Sequence, residues 1–104
     1  MMTKYRAKPI TIDGIRFASQ AEGNHYLLLK ARLAAGEITN LELQPRFPVH
    51  INGVKVCEYR ADFAYFEGEQ RRVVDVKGYK TAIYRLKKKL VEAAHPAVRI
   101  VEIP

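Results

Sequence analysis

Apolar positions change their period along the chain, and each change marks an element. Ile10-Thr11-Ile12 and Ile15-Arg16-Phe17 flank Asp13-Gly14, which predicts two short β runs around a tight turn. From Ser19 the period lengthens. Tyr26, Leu29 and Leu33 line one helical face, and Leu27, Leu28, Ala31 and Ala34 widen it. Ser19-Gln20-Ala21-Glu22 fits the capping box that opens a helix, and Gly36 fits the stop. So broad a stripe predicts a largely buried helix. Leu41 to Ile51 reads as extended, and Pro45 and Pro48 mark it as bent or at an edge. Asn52-Gly53, between Val49-His50-Ile51 and Val54-Lys55-Val56, predicts a hairpin. Further strands follow at Tyr59 to Phe66 and Arg71 to Lys77, joined at Gly68. Thr81 to Ala94 predicts an amphipathic helix with Ile83, Leu86, Leu90, Val91 and Ala94 inward, broken by Pro96. Val98 to Ile103 predicts the last strand. Hairpin, helix, meander, helix and strand make one α/β (α+β) domain over residues 1–104 around a central mixed sheet. Met1 to Lys8 forms a basic N-terminal arm carrying Lys4, Arg6 and Lys8.

The turn at Gly68 sets a register. With Gly68-Glu69 at its centre, Phe66 faces Arg71, Ala64 faces Val73, Asp62 faces Asp75 and Arg60 faces Lys77. Phe63 with Val74, and Ala61 with Val76, fall on the opposite, core-facing side. Asp62 and Asp75 then stand roughly 5 Å apart at Cβ, and like charges so placed destabilise a sheet. A divalent cation offsets them, and oxygen-only ligands point to Mg²⁺ or Mn²⁺. Lys77 lies two residues beyond Asp75, on the same face. Glu22, in the first turn of the first helix, is a candidate third carboxylate, although a capping glutamate needs no chemical role. Gln44 is a weaker candidate for orienting a ligand or a phosphate. His25, His50 and His95 have no metal-ligand spacing.

Composition sharpens the choice of partner. The 104 residues carry a formal charge of +7, which favours a polyanion. Lys80, Tyr84, Lys87 and Lys88 share one helical face just past the acidic pair, a strip suited to a phosphate backbone. The lone Cys57 excludes an internal disulfide and suits a reducing cytoplasm. The sequence starts with no apolar signal run, and no segment reaches membrane-spanning length. These features predict an intracellular protein with no membrane partner. With 48% hydrophobic residues the core is small, and a homodimer is plausible on that ground.

Glu22, Arg60-Ala61-Asp62-Phe63 and Val74-Asp75-Val76-Lys77-Gly78 together resemble the PD-(D/E)xK nuclease superfamily, with alanine at position 61 where the family name has proline. Phe17 to Glu22, Leu43 to Phe47 and Asp75 to Lys80 resemble small phage and prophage nucleases related to junction-resolving endonucleases. The resemblance implies a restriction-endonuclease-like fold, with a core of helix, three-stranded meander, helix and strand. It implies a metal-dependent DNA endonuclease with Glu22, Asp62, Asp75 and Lys77 as catalytic residues. Asp62, Asp75, Glu22 and Val76 would form the metal set, and branched DNA such as a Holliday junction would be the substrate. Cutting both strands of a junction would require a homodimer. The competing expectations are a nuclease of linear DNA, a non-catalytic nucleic-acid-binding module, and a structural protein that is basic only for solubility.

Overall fold

The computed structural model describes residues 8–104, so most of the expected basic arm lies outside the described residues; Lys8 itself is exposed. Strands β1 (Ile10–Ile12) and β2 (Ile15–Phe17) form the first hairpin. Asp13 and Gly14 both take positive φ, as this turn requires. Helix α1 (Gln20–Ala34) is opened by the Ser19 hydroxyl, which accepts from the Glu22 amide at 3.1 Å. It closes at Gly36, where φ is +78° and the Glu37 amide reaches back to the Arg32 carbonyl at 2.9 Å. The chain continues through β3 (Thr39–Leu43), β4 (Arg46–Ile51), β5 (Val54–Arg60), β6 (Phe63–Glu67), β7 (Gln70–Val76), α2 (Ala82–Ala94) and β8 (Ile100–Ile103).

The fold is a mixed α+β arrangement. Its main sheet has the order β3-β6-β7-β8, antiparallel except for the parallel pair β7-β8 that α2 connects. One face of the sheet presents Phe63, Tyr65 and Val74 to Tyr26 and Leu29 of α1 and to Phe17 of the first hairpin. The other face presents Ala64, Val73 and Ile100 to Tyr84 and Val91 of α2 and to Phe47, Val49 and Tyr59 of β4 and β5. Alternation along β6 and β7 therefore serves two cores. Gly23 lets the first hairpin press on α1, since a Cβ there would stand 2.8 Å from Ile10 Cγ2 and 3.0 Å from Ile12 Cδ1.

The meander differs from the expected one. Leu41 to Ile51 is not one strand but β3 and β4, broken at Gln44-Pro45. Tyr59 to Phe66 is likewise broken at Ala61-Asp62 into β5 and β6. The two breaks lie side by side. Leu43 pairs with Phe63 and Arg46 with Arg60, so one register runs through the bend without insertion. β3-β4 and β5-β6 are thus one long two-stranded ribbon. Its root belongs to the main sheet, and its tip, closed by Asn52-Gly53, folds over α2.

Both helices bury less than expected, or a different face. In α1 only Gly23, Tyr26 and Leu29 are buried, while Leu27, Leu28 and Leu33 stay exposed because no element covers the flanks of the stripe among the described residues. In α2 the inward face carries Tyr84 and Val91. Ile83 and Leu86, expected inside, are 64% and 53% exposed.

Candidate active site at the ribbon bend

The bend places Asp62. The Gln44 amide donates to the Asp62 carbonyl at 2.9 Å, and the Ala61 amide donates to the Pro45 carbonyl at 3.1 Å. Gln44 is held at φ +53°, a region that side chains other than glycine seldom occupy. Gln44 is therefore an exposed bend residue between β3 and β4. Beyond Phe63 the β6-β7 ladder ends. The expected pairings of Arg60 with Lys77 and Ala61 with Val76 do not form; Arg60 faces Arg46, and the Lys77 amide donates to Ile103 at 2.8 Å. Both aspartate carboxylates instead accept hydrogen bonds from backbone amides across the gap. The Asp62 amide donates to Asp75 Oδ1 at 3.0 Å, and Asp62 Oδ2 accepts from the Val76 amide at 2.7 Å. Each carboxylate is fixed by the other strand's backbone.

Asp75 is 1% exposed, and its Oδ2 is buried without a partner. Burial pushes its carboxyl above the usual range; Lys77 and the Asp62 amide pull the other way, and nearby Glu102 adds to the rise. Asp62 is also raised by burial, against the Val76 amide, Lys77, His25 and Arg60. Glu22 is raised by burial and then by the charge of Asp62, with the Ala18 amide and Lys77 opposing. The return bond of the capping box, from the Ser19 amide to the Glu22 carboxylate, is not among the hydrogen bonds of the described residues, and Glu22 shares a cleft with Asp62. Glu22, Gln44, Asp62 and Arg16 line a cleft of about 170 Å³.

Lys77 Nζ sits 4.3 Å from the centre of the Tyr84 ring. The Tyr84 hydroxyl donates to Glu102 Oε2 at 2.7 Å, and Lys80 pairs with Glu102 Oε1 at 3.1 Å. Tyr84 is 7% exposed, so it does not share an open phosphate-binding strip with Lys80, Lys87 and Lys88 as expected; its ring faces inward and underlies Lys77. Lys87 and Lys88 are half-buried beside it, and Lys87 Nζ reaches the Glu58 carbonyl at 3.3 Å.

Three residues at the site escaped the sequence pattern. His25 acts on Asp62 electrostatically, and its Nε2 is buried without a partner. Burial lowers its pKa, favouring the neutral ring. The signal was its spacing, three residues after Glu22 on one helical face. Glu102 stands opposite Asp75 in the parallel β7-β8 pair. Arg16 joins through the first hairpin. Nothing local in the sequence marks either of these two.

The donor set is oxygen-rich and sparse. Among the described residues, no three of His, Cys, Asp and Glu converge into a ready coordination sphere. Mg²⁺ does not require one, because it keeps several waters and takes one or two carboxylates. The orphaned Asp75 Oδ2 beside Asp62 fits such an ion. A family model described as "Protein of unknown function (DUF1064)" matches residues 2–103. The chain belongs to the DUF1064 family. No curated protein and no solved structure matches it. For this DUF1064 protein the geometry therefore carries the functional argument. No helix among the described residues is long and apolar enough to cross a membrane.

Proposed function

We propose that this protein is a divalent-metal-dependent DNA endonuclease of the PD-(D/E)xK type, acting on branched DNA. The observation that carries the reading is Asp75: a fully buried carboxylate with one oxygen unpartnered, Asp62 beside it and Lys77 two residues on. An uncompensated buried carboxylate is costly, and a cation removes the cost. The order α1, β3, β6, β7, α2, β8, with the ribbon tip as an insertion in the meander, supports the restriction-endonuclease-like core.

Asp75 and Asp62 would hold Mg²⁺ or Mn²⁺, with Glu22 and the Val76 backbone completing the set. The bound ion would supply charge stabilisation at the phosphoryl oxygens and an acidified water. Lys77, held over Tyr84, presents its ammonium to the water or to a phosphate oxygen. In the hydrolysis the water gives up a proton to solvent as its oxygen bonds to phosphorus, the bond from phosphorus to the bridging oxygen breaks with the electron pair staying on that oxygen, and a proton from solvent completes the leaving alcohol. Gln44 and Arg16, on the Glu22 side, are placed to orient the strand. Lys80, Lys87 and Lys88 lie where its backbone could pass. A junction has two strands to cut, so the active form is a homodimer in this reading, working inside the cell.

The test is incubation with four-way junction, flap, nicked and linear duplex DNA in Mg²⁺, Mn²⁺ or EDTA. Metal-dependent cleavage that favours the junction is expected. Lys77→Ala should lower turnover roughly a hundredfold, the scale of one positioned group, with little change in DNA affinity. The lack of three converging ligands among the described residues favours a second reading, a nucleic-acid-binding module without turnover. Tight DNA binding with no cleavage in either metal would establish that reading.

A further inference from the structure

A second cavity, of about 350 Å³, lies between α2 and the ribbon tip, lined among others by Arg46, Arg60, Lys87, Glu58 and Ile83. Its charges are poorly balanced. Arg46 and Arg60 face each other directly across β4 and β5, an arrangement that destabilises an antiparallel pair. Glu58 offsets Arg46 at 2.9 Å but is shared with Lys55 at 2.8 Å. Arg60 is exposed, and its guanidinium makes no hydrogen bond or ion pair with any described residue. Tyr59 also lines the cavity, and its buried hydroxyl has no hydrogen-bond partner. Three cations against one carboxylate, with an unused hydroxyl donor, lack an anion. Arg46 and Arg60 form the last pair before the bend, and Asp62 lies in that bend two residues after Arg60, so the cavity adjoins the acidic pair.

We propose that this cavity binds a backbone phosphate of a DNA strand, held by the facing guanidinium groups of Arg46 and Arg60 with Lys87 at the rim. Guanidinium groups suit this task because their paired N–H donors match phosphate oxygens. The phosphate bound here lies next to the one at the acidic pair, so the strand crosses the ribbon bend from one cavity to the other. The proposal rests on the nuclease reading for the identity of the polymer.

The test measures binding of a labelled single-stranded oligothymidylate and of a four-way junction, by fluorescence anisotropy over a salt series in EDTA. Wild type is compared with Arg46→Gln/Arg60→Gln and with Lys30→Gln/Arg99→Gln, a charge-matched pair that does not line the cavity. The cavity variant should weaken both probes about tenfold, and its salt slope on the single strand should shrink by roughly 0.7 per lost contact. The control pair should stay within about twofold of wild type. Equal weakening in both variants, or none in the cavity variant, overturns the proposal. Should the double variant melt early, Arg60→Gln alone breaks no ion pair and answers the same question. Cleavage in Mg²⁺ is scored separately. If wild type cuts but the cavity variant binds normally, the phosphate site fails and the nuclease reading stands. If wild type never cuts yet binding needs the arginines, the reverse holds.

Discussion

Asp75 is the residue on which the site's electrostatics turn. A carboxyl whose pKa is raised by folding holds its proton more tightly in the folded chain than in the unfolded one, so protonation stabilises the fold. That contribution is fully present below the ordinary carboxyl range, near 3.8, and is lost as pH rises through the raised value. Asp62 and Glu22 act in the same direction. The surface pairs of Glu58 and Glu67 act oppositely but are solvent-screened. Asp75→Asn in EDTA should therefore melt higher than wild type at neutral pH, by roughly 4–8 °C if about 1 kcal/mol is relieved. The gap should close as pH falls toward 4. Melting curves across that range check it, and parallel curves would show that Asp75 carries no buried charge. The same variant should cut no DNA. Glu22→Gln keeps the helix start, because the Ser19 bond uses the Glu22 backbone amide; without metal at neutral pH it should melt at or above wild type, since a partly buried charge is removed, and it should lose cleavage. Full activity would return Glu22 to a capping role. The acidic pair was legible because the turn at Gly68 fixes the β6-β7 register that the structure shows from Phe63 to Glu67. The bonds from the Asp62 amide to Asp75 and from the Val76 amide to Asp62 were not legible, since they exist only because the ladder stops at Phe63.

At the scale of elements, α2 shows why pattern reading picked the wrong face. Counting Ile83 and Leu86 as apolar and Tyr84, Lys87 and Lys88 as polar turns the helix outward at Tyr84. The structure buries Tyr84, because its ring meets Tyr59 at 6.2 Å and its hydroxyl is satisfied by Glu102. The lysine stems flank it. The helix thereby supplies, through Tyr84, a platform under Lys77 instead of a side chain in the expected phosphate-facing strip. Tyr84→Phe keeps the ring and should keep most of the turnover, with a loss of about 1 kcal/mol in stability from the broken hydrogen bond. Tyr84→Leu removes the platform and should lower turnover roughly tenfold, within the range of a cation–π contact. Single-turnover rates for the two variants decide it; equal rates would leave the ring without a part in holding Lys77. The Arg46-Arg60 pairing was hidden for a different reason. A slip in register between Val49 and His50 lies between those residues and the Asn52-Gly53 turn, so counting back from the turn pairs Arg46 with Tyr59.

Over the whole molecule, the main sheet is sandwiched between α1 with the first hairpin and α2 with the ribbon tip. Gly23 sets how closely the first of these outer layers sits. Gly23→Ala gains about 1 kcal/mol in helix propensity but loses about 1–3 kcal/mol to overpacking against Ile10 and Ile12. A net fall in melting temperature of a few degrees is expected, and a rise would show that the hairpin yields freely. The ribbon joins the other two layers, and its bend carries Asp62. The amides of Gln44 and Ala61 close that bend, one bonded to each side of the break. The acidic pair therefore has no independent existence. If the tip lifts off α2, or β3 frays from β6, the strain reaches Asp62 before it reaches either core. Hydrogen exchange at those two amides should then run at the rate of global opening, far slower than their place in an irregular segment would suggest. The protein would have no partly open form with a working site: a molecule too loosely folded to hold its shape would also be unable to cut.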